Sequence, residues 1–205
     1  MKWLYSSILI LIITASVSAQ SLGNITYNMS FPTGNLSEFI DKPSFKGFGI
    51  EGRWFQNRNL SFGLSFAWTV YDQRVSDPIQ LVQDGVSGTV SGTQIRVVNS
   101  LPILATAHYY MGKRRDQYRF YFGTGVGMYY IKQRLEIGLV AFESDNWHFG
   151  VAPEVGVLLN FSREFTMIVN GKYNYAFSAG ESLGGGDDNT YAYWGLNVGF
   201  VWQDY

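Results

Sequence analysis

Cysteine is missing altogether from the 205 residues, charged residues make up only 15% of the chain, and proline occurs just 5 times. Without cysteine there is no disulfide scaffold, no thiolate metal site, no thiol nucleophile and no cysteine to carry a lipid anchor. A soluble domain carries roughly 25% charged residues, so the groups that normally coat a water-facing surface are scarce here. The 15 basic and 16 acidic side chains nearly cancel. No block of like charge stands out, which leaves no electrostatic basis for a nucleic-acid or polyanionic partner. Beyond the N-terminal segment no apolar run approaches the roughly 18 to 20 residues of a membrane-spanning helix, so a helical membrane protein is excluded. What the chain does have is glycine, 23 residues, and aromatic side chains at 17%.

The first nineteen residues read as a secretory signal. Lys2 supplies a basic start, the run from Ile8 to Ile13 an apolar centre, and Val17-Ser18-Ala19 the small residues that a signal peptidase requires. The expected mature chain, residues 20–205, forms a single domain.

Nearly all of that domain alternates with period two. Leu60, Phe62, Leu64, Phe66, Trp68 and Val70 fall on one face, with Ser61, Gly63, Ser65, Ala67 and Thr69 on the other. Trp194, Leu196, Val198, Phe200 and Trp202 repeat the pattern against Gly195, Asn197 and Gly199. Strands are expected near 22–31, 44–55, 60–71, 95–111, 117–131, 147–161, 165–177 and 190–202. The connections alternate between short turns at 56–59, 112–116 and 162–164 and longer loops. Spanning strands of roughly 9 to 11 residues, joined alternately by short periplasmic turns and long extracellular loops, describe an outer-membrane barrel. The fold class is therefore all-β: an eight-stranded antiparallel up-and-down transmembrane β-barrel.

A soluble barrel points its apolar face inward and coats its outside with charge. Here the second face is Gly, Ser, Asn, Ala and Thr, which coats a surface poorly but fits the cramped bore of eight strands. The bulky face is then the lipid face. Trp54, Tyr109, Tyr118, Phe161, Phe165 and Trp202 near the short turns, and Phe31, Trp68, Tyr175, Phe177 and Trp194 near the long loops, would form two aromatic girdles.

The opening NITYNMSFPTGNLSEF at 24–39, the stretch LPILATAHYYMG at 101–112 and the closing YWGLNVGFVW at 193–202 give the chain its resemblance to the small outer-membrane barrels typified by OmpA and OmpX, especially Bacteroidota-type versions. The resemblance covers essentially all of the mature chain. It implies residence in the outer membrane of a Gram-negative-type bacterium, contact with its lipid and lipopolysaccharide, and recognition by the barrel-insertion machinery through a terminal aromatic residue. Trp202 with Phe200, Val198, Leu196 and Trp194 fits that signal; the added Gln203-Asp204-Tyr205 departs from it.

Strand parity turns Glu51, Arg53, Glu154 and Lys172 into the bore, two positives against two negatives. A buried charge is costly unless paired, so these groups are expected to form an ionic network that plugs the barrel, as the resemblance also implies. His108 and His148 point inward too, one low and one high, and are read as hydrogen-bonded interior residues, since neither has a nucleophile and orienting carboxylate in motif spacing. Gly123, Gly125 and Gly127 sit at period two inside a strand, where they are interior small residues and no phosphate loop. Asp187 and Asp188 read as a solvated loop tip. No catalytic residue, metal or cofactor is expected. Function is expected outside the membrane, in 72–94 and 132–146, as candidate sites for an extracellular ligand. The apolar residues at 135–142 fit an extension of the fifth and sixth strands whose edge could accept another strand. The expected protein is a non-enzymatic structural or loop-binding barrel; the rivals are a lipid-modifying enzyme and a soluble barrel holding an apolar ligand.

Overall fold

Bulky apolar side chains at every second position give each segment one greasy face, and pairing the segments edge to edge until the sheet closes satisfies their backbone groups. The computed structural model describes residues 20–75, 79–83, 86–90, 93–114, 116–137, 140–162, 165–180 and 189–203. The signal segment 1–19, Asp187, Asp188, Asp204 and Tyr205 lie outside the described residues.

The elements in chain order are β1 (Ser21–Thr33), α1 (Asn35–Phe39), β2 (Ser44–Phe55), β3 (Leu60–Val75), β4 (Ile79–Gln83), β5 (Val86–Val90), β6 (Gln94–Tyr110), β7 (Tyr118–Ile137), β8 (Val140–Asn160), β9 (Thr166–Ala176) and β10 (Tyr191–Gln203). Eight of them close a barrel in the order β1-β10-β9-β8-β7-β6-β3-β2, while β4 and β5 form a separate hairpin. Every barrel pairing is antiparallel, and closure runs through Tyr27 opposite Val198.

The face assignment follows strand parity. Leu64 is 46% exposed and its neighbour Ser65 only 8%. Phe62, Phe120, Phe122, Val155, Leu196 and Phe200 lie exposed on the same outer wall. Of the girdle residues, Trp54, Tyr109, Tyr118, Phe161, Phe165 and Trp202 are exposed at the short-turn end, Phe31, Trp68, Phe177 and Trp194 at the other, and Tyr175 is half-buried. Further rings join the long-loop end, where Tyr130 packs with Trp147 and Tyr173 with Trp194 of the girdle.

Two expectations need correction. The segment 72–94 contains the end of β3 and the β4–β5 hairpin. The connection after β1 holds the short helix α1, where Leu36, Phe39 and the following Ile40 are buried. The extension of the fifth and sixth strands through 132–146 is observed: β7 and β8 stay paired from Tyr118 opposite Leu159 to Ile137 opposite Val140. Alternation and pairing simply continue past the girdle, because strand pairing carries no marker for where hydrocarbon ends. As a result β3, β6, β7 and β8 rise together beyond the Tyr130–Trp147 pair as a four-stranded wall. Among the described residues no strand pairs with the outer edge of 140–147, since β9 joins β8 only from Gly150 downward.

Two apolar clusters cross the bore. Leu22, Phe55, Tyr110, Tyr121, Leu158, Ile168 and Val201 fill the short-turn end. At the other end Leu104, Tyr129, Tyr191 and Tyr193 pack with Leu36, Phe39 and Ile40 from α1.

Candidate functional site

Strand register assembles the charged groups between these clusters. His108 on β6 faces Gly123 on β7, Gly123 faces Glu154 on β8, and Glu154 faces Lys172 on β9. Gly123 makes the row work: a Cβ there would lie 2.4 Å from His108 Cδ2 and 2.6 Å from the Ala107 carbonyl oxygen. Glu51 and Arg53 approach from β2, two residues apart and therefore on the same side of the strand.

All four network residues meet. Arg53 donates through Nη2 to Glu51 Oε2 at 2.7 Å and to Glu154 Oε1 at 2.9 Å. Lys172 Nζ lies 2.8 Å from Glu154 Oε2. Thr106 Oγ1 donates to Glu51 Oε1 at 2.9 Å, and Arg53 Nη1 donates to the Tyr110 hydroxyl at 2.9 Å. The Arg53 guanidinium also lies 4.7 Å from the centre of the Tyr121 ring. Gly156 leaves space for the Tyr121 hydroxyl, which would sit 2.6 Å from a Cβ.

Parity places both histidines in the bore, and register adds that His108 joins the charges. Its Nε2 lies 2.7 Å from Glu154 Oε1 and 3.6 Å from Glu51 Oε1. His108 faces Glu154 across one intervening strand, a relation that only register reveals. His148 does stand alone near the long-loop end, with Nδ1 2.9 Å from the Phe177 carbonyl oxygen and its ring edge-on to Tyr191.

Glu51, His108 and Glu154 each offer one ligand atom within a 4.8 Å group, a spacing that suits a divalent ion. Arg53 and Lys172 already neutralise both carboxylates, so an added dication would meet two fixed positive charges. The arrangement is a balanced ion-pair cluster. Its chemistry gives no hydrolytic nucleophile either: Ser61, cross-strand from His108, makes no hydrogen bond through its buried hydroxyl.

Arg119 is a lumen residue that sequence reading passed over. It is buried, donates through Nη2 to the Arg58 carbonyl oxygen, and stacks its guanidinium 4.4 Å from the Tyr110 ring centre. Its parity with Tyr121 was the available signal, masked by the basic turn GKRRDQYR, in which it reads as one more solvated charge. Beyond the girdle, Lys132 Nζ pairs with Glu143 Oε2 at 2.9 Å, and this bond holds the Glu143 carboxyl below its usual range.

No protein-family model matches the sequence, and no curated protein matches it. Solved structures do match its shape. Ail, the attachment invasion locus protein of Yersinia pestis, is 14% identical over 91% of this chain and 100% of its own, with a TM-score of 0.52. Neisserial surface protein A is 12% identical over 91% of this chain and 96% of its own, at 0.56. The outer membrane protein OprG of Pseudomonas aeruginosa is 13% identical over 92% and 97%, at 0.50. The likeness shows a shared fold: the chain is an eight-stranded barrel of the small outer-membrane type.

Proposed function

We propose that this protein resides in the outer membrane of a Gram-negative-type bacterium as a non-enzymatic barrel, with its bore closed by side chains and its protruding wall serving the envelope as a binding surface. The observation that carries the reading is a division of labour along one barrel. Inside, the Arg53–Glu51–Glu154–Lys172 cluster lies between two apolar seals. Outside, β3, β6, β7 and β8 continue past the aromatic band to the β8 edge at 140–147, which no described strand pairs.

Such an edge presents backbone donors and acceptors in a row, and an extended segment of another protein can complete it by strand addition. Val140 and Phe142 give that edge exposed apolar side chains, while Glu143 and Asp145 alternate with them and set charge preference. Ail carries attachment in its name, and the wall described here is a surface suited to that kind of task. Against an enzyme stands the hydroxyl nearest in register to His108, that of Ser61, which makes no hydrogen bond that could activate it.

Two measurements test the two halves. The purified barrel in a planar bilayer gives no steady large conductance, and replacing residues 134–143 with a two-residue turn leaves a folded, non-conducting barrel that no longer supports cell attachment. A steady open current contradicts the closed bore, and undiminished attachment contradicts the role of the wall.

A further inference from the structure

Between the ion network and the long-loop mouth lies a cavity of about 30 Å³. With roughly 10 to 15 Å³ needed per water by this measure, it holds about two. Asn24, Asn28, Asn170, Asn174, Asn197 and Ser65 form its wall, and Glu51 and Lys172 its floor. The five asparagines are buried and point amide groups into the bore from β1, β9 and β10. Leu104 and Tyr193 line the upper part, and both belong to the apolar cluster completed by Leu36, Phe39 and Ile40.

Above them sits α1, which packs on Leu104 and Tyr193 without itself lining the cavity and has no place in the barrel ladder. The chain turns into the mouth at Gly34, whose φ of 57° is a left-handed conformation that glycine adopts without strain. Three hydrogen bonds tie the segment down. Arg96 Nη1 donates to the Phe39 carbonyl oxygen at 2.9 Å, the Asp41 amide to Gln73 Oε1 at 2.9 Å, and Asn35 Nδ2 to Thr190 Oγ1 at 3.0 Å. The Arg96 guanidinium also covers the Phe39 ring at 5.3 Å. Each of these anchors has a rim side chain as one partner and none is a strand-ladder bond, so the segment can lift without breaking the barrel ladder. The floor cannot: its charges are bonded to β2, β6, β8 and β9 at once.

We propose that the chamber is a one-ended binding pocket for a small uncharged hydrogen-bonding solute, admitted from the long-loop side when α1 lifts. The wall amides already hold bonds, Asn197 Nδ2 donating to Asn170 Oδ1 at 2.6 Å and the Tyr129 hydroxyl to Asn174 Oδ1 at 3.1 Å. The second N–H and lone pair that each amide keeps offer donors and acceptors together, which suits a neutral polar molecule. An ion entering the same space loses its hydration against charges that are already paired with each other, and is excluded. The inference rests on the reading of the ion network as a permanent closure.

Because the chain contains no cysteine, single cysteines report on access without background. Ser65→Cys places a thiol in the chamber wall. Ser61→Cys places one four residues lower on the same strand, roughly 13 Å away, beside His108 and Phe55. The probes are the neutral hydroxyethyl methanethiosulfonate and its cationic trimethylammonium-ethyl counterpart. With α1 intact, Ser65→Cys reacts slowly with both. Adding Arg96→Gln, which cuts the strap, or Leu36→Asp, which puts a charge into the apolar roof, speeds the neutral reagent roughly tenfold or more, the equivalent of about 1.4 kcal/mol in the closed state, and leaves the cation slow. Heat-dependent gel mobility verifies that each variant is a folded barrel.

Three results overturn the proposal: rapid labelling of Ser65→Cys with α1 intact, slow labelling in both opened variants while the barrel stays folded, or equal rates for neutral and cationic reagents. Ser61→Cys stays slow throughout. If it accelerates together with Ser65→Cys, the closure reading of the network fails and the lid remains.

Discussion

Glu154→Ala lowers the stability of the barrel in detergent or lipid by about 3 to 5 kcal/mol, seen as a lower midpoint of denaturant unfolding. Glu154 is the hub of the interior: Arg53 donates to one of its oxygens, His108 approaches the same oxygen, and Lys172 pairs with the other. Removing the carboxylate leaves Arg53 with Glu51 alone and strands Lys172 beneath the chamber without its nearest counter-charge. The cost comes from desolvated charge left behind, more than from attraction lost. That distinction has its own signature. Glu154→Leu combined with Lys172→Met removes both partners and recovers roughly half or more of the loss. An unchanged midpoint in Glu154→Ala, or a double variant worse than the sum of its parts, contradicts the network as described.

Val198→Arg costs about 2 to 4 kcal/mol in a bilayer. Val198 sits on the outer wall of β10, four residues from Trp194 of one girdle and four from Trp202 of the other, and therefore close to the membrane midplane. Its strand neighbours Tyr27 and Val169 are outward-facing as well, so the new guanidinium finds no counter-charge across either ladder. The side chain is long enough to bend toward a headgroup, which keeps the cost below that of a fixed charge in hydrocarbon. Refolding into liposomes with a titration in urea reads the effect. A silent substitution would place this wall away from lipid.

The barrel was legible because its two constraints, alternation and the rhythm of short and long connections, are both local. Leu60 to Val70 or Trp194 to Trp202 can be sorted into faces without knowing any partner strand. The inward charges were legible for the same reason, since parity alone turns Glu51, Arg53, Glu154 and Lys172 into the bore. What required pairing register was hidden. His108 joins Glu154 only because Gly123 aligns both in one row, and nothing in a single strand states that alignment. The protruding wall was ambiguous because Leu135, Ile137, Val140 and Phe142 alternate in the same way whether the bilayer has ended or not. The helix α1 was invisible for another reason. Five residues, NLSEF, are too short for helical periodicity to register, and its stabilisation comes from rim contacts distant in the chain, such as Arg96 with Phe39.

The whole account depends on an outer wall in contact with hydrocarbon and an inner wall that is not. Nitroxide labels placed one at a time from residue 60 to 70, in a chain with no native cysteine, measure this directly in liposomes through collision with dissolved oxygen and with a water-soluble nickel chelate. Oxygen accessibility is predicted to alternate with period two, high at Phe62, Leu64, Phe66 and Trp68 and low at Ser61, Gly63, Ser65 and Thr69, with little nickel accessibility between the girdles. High nickel accessibility at Phe62, Leu64 and Phe66, or an oxygen profile in the opposite phase, would contradict it.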